Sequence, residues 1–170
     1  AKSTQKPVVL ISTSGTAPAN FYPAVIEANL SRVPLMILSA DRPAYLIGTG
    51  ANQTIDQQNL YGNHVRYFTD MGLPKDNNES LHDHLFTAFQ HSSGLKLEEP
   101  PGPVHLNFPF DKPLLPEKII DIIPPPFTFE NIEKPVVKFS IPILTESKRP
   151  LIVVGPMNGN HHQKEIIQLA

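Results

Sequence analysis

The sequence predicts an α/β fold built on a parallel sheet. Continuous apolar runs, "PVVLIST" (7–13), "PLMILSA" (34–40) and "PVHLNFP" (103–109), have the length and composition of strands covered on both faces. Stretches with helical spacing of apolar residues lie between them, the arrangement that parallel strands require. Small or polar residues follow the strands, as expected where open parallel sheets bind ligands.

The elements follow in order. After the first run, "SGTAPAN" (14–20) is a small-residue turn, with Asn20 placed to cap the next helix. In "FYPAVIEANLSRV" (21–33), Phe21, Val25 and Ala28 share one face, and Tyr22, Ile26 and Leu30 widen it. Pro23 falls in the first turn, where it costs little. The second strand leads to a long polar loop that starts at Asp41-Arg42-Pro43. Thr54-Ile55-Asp56-Gln57 reads as a capping box opening a short helix to Tyr61, with Gly62 as its stop. "VRYFTDMGL" (65–73) predicts a third strand. Ser80 caps a helix with Leu81, Leu85, Ala88 and Phe89 on its apolar face. The run 103–109 is the fourth strand. Strand–helix–strand units of this kind cross over right-handed.

Beyond Pro100 the prolines crowd together, and "PLLPEKIIDIIPPPFTFENIEKP" (113–135) has no sustained period. It predicts an extended strap (114–148) between a domain at 1–113 and the strand–turn–helix start of a second α/β domain at 149–170. The chain opens without Met and stops inside a helical pattern, so an internal piece of a longer polypeptide is expected.

Composition narrows the function. The 170 residues are 40% hydrophobic and 18% charged, which supports a folded core rather than disorder. A net charge of −2 carries no nucleic-acid footprint. The absence of cysteine excludes disulfides and thiolate metal sites. No apolar run approaches the ~20 residues of a membrane span, and no signal peptide opens the chain, so the expected location is cytoplasmic.

Three stretches could carry chemistry. Ser14, Gly15 and Thr16 end the first strand, where the alternative is an ordinary tight turn. They form no P-loop, since no Gly-Lys-Ser/Thr follows. Arg42, its backbone biased by Pro43, is suited to bidentate capture of a carboxylate or phosphate. Its alternative is a surface ion pair with Asp41, which is worth little. Asn52 and Gln53 precede the expected helix N-terminus, where N-capping competes with ligand binding. The histidines read as structural: His82 and His84 face apart on a helix, His105 is packed within a strand, and His161 and His162 are solvated. The glycines of "GPMNGN" (155–160) do not match a dinucleotide fingerprint.

"TSGTAPANFYPAVIEA", "SADRP", "GANQTIDQ", "LYGNHVRYF" and "GPVHLNFPFDKPL" resemble, in order and spacing, the thiamine-diphosphate-dependent MenD family of menaquinone and phylloquinone biosynthesis. The match is dense from Pro7 to Leu114, and "RPLIVVGP" (149–156) resembles the start of that family's central domain. The resemblance implies a partial pyrimidine-binding domain, a linker and the first unit of the next domain. It implies an enzyme that decarboxylates 2-oxoglutarate and adds the succinyl unit to isochorismate, using thiamine diphosphate and Mg²⁺, as a homodimer or homotetramer. Arg42, Gln53 and Asn52 match substrate-site residues of the family, with Arg42 holding a carboxylate. Ser14, Gly15 and Thr16 match the turn near the cofactor's aminopyrimidine. No catalytic residue and no metal ligand is carried over. The family's ylide-forming glutamate lies upstream of the matched segment and its Gly-Asp-Gly motif downstream, so this piece alone is expected to be inactive. Two departures stand out. Tyr45-Leu46-Ile47 replaces a step that often carries charges in the family, and Pro18 replaces a small residue. The competing readings are another thiamine-dependent 2-oxo acid decarboxylase or acetohydroxyacid-synthase-like enzyme, and a non-catalytic Rossmann-like binding module.

Overall fold

The computed structural model describes residues 1–4, 6–74, 79–95 and 99–115, with isolated positions 151, 153, 164 and 167 beyond them. The chain divides into two units, Ala1–Ile132 and Glu133–Ala170. Most of the expected strap and of the expected second-domain start lies outside the described residues, as do His161, His162 and "GPMNGN". No described helix is long and apolar enough to cross a membrane.

The first unit is α/β. In chain order its elements are β1 (Val8–Ser12), α1 (Thr16–Ala19), α2 (Tyr22–Leu30), β2 (Leu35–Asp41), β3 (Phe68–Asp70), α3 (Glu79–Ser93) and β4 (Pro103–Pro109). The four strands form one sheet in the order β1-β2-β4-β3, and every neighbouring pair is parallel. Chain direction across the sheet reverses after β3, and the covering helix changes face with it, as connections of one hand require.

Two cores flank the sheet. On one face Val25 and Ala28 of α2 pack with Leu35, Ile37 and the fully buried Tyr61. On the other, Ala88 of α3 packs with Met36, Val104 and Leu106, supported by Leu85 and Phe89. The central strands β2 and β4 are buried nearly throughout, in keeping with their continuous apolar runs. The first strand departs from that expectation. β1 lies at the sheet edge, and Val9 and Ile11 are 49% and 78% exposed. Its apolar run gave the same signal as a central strand, because periodicity does not report position in the sheet.

Other boundaries also differ. Phe21, not Asn20, precedes α2, and Asn20 instead closes the short α1. Ser80 lies inside α3, which starts at Glu79. The third strand is only three residues long. No helix forms over 55–61. The Thr54 hydroxyl donates to the Asn52 carbonyl at 3.1 Å, and the Gln57 side chain turns inward, so the capping box does not form. A single 3₁₀ turn follows at Gly62–His64.

Candidate functional site at the carboxyl ends of the strands

The side chains that reach the carboxyl end of the sheet are set by strand parity. Residues two apart share a face, and parallel register aligns Ser39 and Asp70 with Asn107, and Ile37 and Phe68 with His105. One face of these three strands therefore ends in a seam of polar groups: Ser39 and Asp41 on β2, Asp70 on β3, His105 and Asn107 on β4. Four of them, Ser39, Asp41, His105 and Asn107, are buried.

Burial obliges these groups to bond with one another. Asn107 Nδ2 donates to Asp41 Oδ2 at 2.7 Å and to Asp70 Oδ2 at 2.9 Å. Its Oδ1 accepts from Ser39 Oγ at 2.8 Å and from Gln57 Nε2 at 2.9 Å. The Ser39 proton is spent on Asn107, so Ser39 Oγ accepts from His105 Nε2–H at 2.7 Å. His105 is thereby the Nε2–H tautomer, with Nδ1 unprotonated. Burial among Tyr61 and Phe68 lowers its imidazole to about 4, with a partial opposing effect from Asp70.

Two loops hang on this seam. Asp41 Oδ1 accepts the backbone N–H of Arg42 at 2.7 Å. The alternative for Arg42, an ion pair with Asp41, is not formed: both Asp41 oxygens are engaged by N–H donors, and the guanidinium has no partner among the described residues. Gln57 Oε1 accepts the Gly15 N–H at 2.8 Å, and Gln57 Nε2 also reaches the Ala40 carbonyl at 3.1 Å. Gln53, in the left-handed region at φ 57°, clips the same turn. Its Nε2 donates to Thr13 Oγ1 at 2.7 Å and to the Ser14 carbonyl at 3.2 Å, while Ser14 Oγ donates to the Gln53 carbonyl at 2.9 Å.

A cavity of about 650 Å³ opens beside these loops, lined by Thr13, Ser14, Asp41, Arg42, Phe110 and Lys112 among others. Its size is that of a small-molecule site, and it combines apolar walls with two cationic residues, Arg42 and Lys112, and two acidic ones, Asp41 and Asp111. A smaller cavity of about 370 Å³ shares Arg42 and runs under Tyr45 and Ile47. Tyr45 donates to Asp111 Oδ1 at 2.9 Å, and that bond holds the phenol above its usual range. The Tyr45-Leu46-Ile47 step thus lacks charges but is still tied to the segment after β4.

Arg42 and Ser14 both line the larger cavity, and Gln53 joins it only through its bonds to Thr13 and Ser14. Gly15 is buried behind Ser14, Thr16 is exposed at the start of α1, and Asn52 is exposed on the loop. The Ser14 hydroxyl and carbonyl and the Gly15 N–H are bonded within the chain, which leaves Thr16 as the exposed residue of the turn. Sequence reasoning missed Gln57, Asn107 and Ser39. The signal was present: His105 and Asn107, two apart in an otherwise apolar buried strand, mark a polar seam. Gln57 had no such signal, because its place at the end of a capping-box pattern gave it a local role.

Residues 1–60 match the family described as thiamine pyrophosphate enzyme, N-terminal TPP binding domain. Over all of its length the chain is 39% identical to the 2-succinyl-5-enolpyruvyl-6-hydroxy-3-cyclohexene-1-carboxylate synthase of Bacillus pumilus (strain SAFR-032). It is 42% identical, again over all of its length, to the protein of that name from Listeria innocua serovar 6a. Across 93% of the chain it is 39% identical to the Halobacterium salinarum protein of that name. The chain spans 31% of the length of each of these relatives.

Proposed function

We propose, from the premise that the chain is homologous along its length to one segment of the 2-succinyl-5-enolpyruvyl-6-hydroxy-3-cyclohexene-1-carboxylate synthases and carries a thiamine pyrophosphate enzyme N-terminal domain, that it forms the pyrimidine-binding part of such a synthase. The longer enzyme decarboxylates 2-oxoglutarate and adds the succinyl unit to isochorismate, with Mg²⁺ anchoring the cofactor's diphosphate outside this segment. Thiamine diphosphate supplies the electron sink when bound; the protein supplies orientation and electrostatics. The enzyme acts in the cytoplasm as a homodimer or homotetramer.

The observation that carries this reading is Arg42. Its backbone is fixed by Asp41 on one side and by Pro43, at φ −58°, on the other. Arg42 lines the cavity, and its guanidinium has no partner among the described residues. A planar cation rooted this way suits a substrate carboxylate. Ser14 and Gln53 shape the adjoining wall, Asn52 stands on the same loop, and the Ser14-Gly15-Thr16 turn forms the cofactor side.

The test is Arg42→Ala in the full-length enzyme, assayed with 2-oxoglutarate and isochorismate. Loss of a charge-assisted contact should lower kcat/KM for isochorismate about 30- to 150-fold, equivalent to about 2–3 kcal/mol. The broader family match at residues 1–60 is shared by one competitor, another thiamine-dependent 2-oxo acid decarboxylase. For that enzyme Arg42→Ala would leave turnover nearly intact.

A further inference from the structure

Asn107 occupies an unusual place in the seam. It is fully buried, and its carboxamide makes four hydrogen bonds, all that its two N–H donors and two oxygen lone pairs allow. Two routes leave it for the candidate site. One runs from Nδ2 through the Asp41 carboxylate to the N–H of Arg42. The other runs from Oδ1 through the Gln57 amide to the N–H of Gly15. Both are two bonds long, and each ends on the backbone of a loop rather than on a mobile side-chain tip. The loop after β1 and the loop after β2 are therefore referenced to one planar group on β4.

We infer that Asn107 is a positioning residue: through Asp41 it sets the root of the Arg42 side chain, and through Gln57 it sets the Ser14-Gly15 turn, so that the two walls of the site keep one spacing. This rests on the reading of Arg42 as the residue that holds a substrate carboxylate. Asn107 does not line the cavity, so its effect on a ligand is transmitted. Small displacements of a positioned contact are costly to a reaction, which makes such a reference point consequential.

The experiment uses the full-length enzyme with Asn107→Ala, Asp41→Ala, Arg42→Ala and the Arg42→Ala/Asn107→Ala pair. Asn107→Ala should raise KM for isochorismate about tenfold while kcat stays within about threefold. In the Arg42→Ala background the same change should raise that KM less than about twofold, because the two act on one contact. An undiminished, multiplicative rise overturns the inference. Amide exchange gives an arm that does not depend on the reaction. Exchange at the segments holding Arg42 and Gly15 should quicken about tenfold in Asn107→Ala, and at Arg42 alone in Asp41→Ala, with α3 unchanged in both. Wild-type exchange at Arg42, or quickening spread over the whole domain, overturns the inference. If Asn107→Ala does not fold, Asn107→Ser, which also removes the amide bridge, carries both arms. A wild-type enzyme that fails to turn over isochorismate sinks the proposed function, while the exchange arm still decides the role of Asn107.

Discussion

His105 shows how one buried residue makes the fold respond to pH. Its Nε2–H is committed to Ser39, its ring meets Tyr61 at a centroid distance of 4.8 Å, and burial holds its pKa near 4. The ordinary value is near 6.5, so between these values the unfolded chain binds a proton that the folded chain refuses. Stability from this group is complete above about pH 6.5 and is lost as pH falls toward about 4, a change on the order of 3 kcal/mol. Urea unfolding measured from pH 4 to 7 should show this slope, and His105→Gln should flatten it. An identical slope in the variant would rule out His105 as the source. The sequence placed His105 correctly as packed, because alternation in an apolar strand points it inward. Its partner could not be read the same way, since pairing Ser39 with Asn107, and with it His105, depends on a register between strands more than 60 residues apart.

Among the elements, the turn between β1 and α1 is the most tightly specified. Gly15 sits at φ 81° and ψ −134°, a backbone region that side chains avoid. A Cβ there would lie 3.1 Å from the backbone carbonyl carbon and oxygen of Gln53, which cannot move aside cheaply. Gly15→Ala should therefore destabilise the domain by about 1–3 kcal/mol. Thermal unfolding reads this directly, and a midpoint equal to wild type would contradict the close packing of the two loops. The glycine was legible in sequence as a turn residue, but what presses on it was not. Gln53 comes from 38 residues further on, through a loop whose local pattern promised a helix. Tertiary demand decided that case: Gln57 stabilises the structure more by bonding Gly15, Ala40 and Asn107 than by closing a helical turn.

At the scale of the whole molecule, the α/β class and the long strands β2 and β4 followed from apolar runs, because burial on both faces leaves a strong compositional mark. The candidate site was legible only in outline. Arg42 and Ser14 were found at the strand ends where ligands bind, whereas the groups that hold them lie behind them in the seam. The 170-residue chain contains no Gly-Asp-Gly motif, and in the proposed enzyme the ylide-forming glutamate also lies elsewhere. Assayed alone with thiamine diphosphate, Mg²⁺ and both substrates, the chain should give no turnover, and product above background would refute the division of labour proposed here. The exposed row on β1 has a separate consequence for anyone handling this segment. Among the described residues β1 pairs on one side only, and an edge strand that bares Val9 and Ile11 is a template for strands of other molecules. A net charge of only −2 supplies little mutual repulsion to oppose it. Strand addition along Val8–Ser12 is thus a route by which the isolated piece would self-associate.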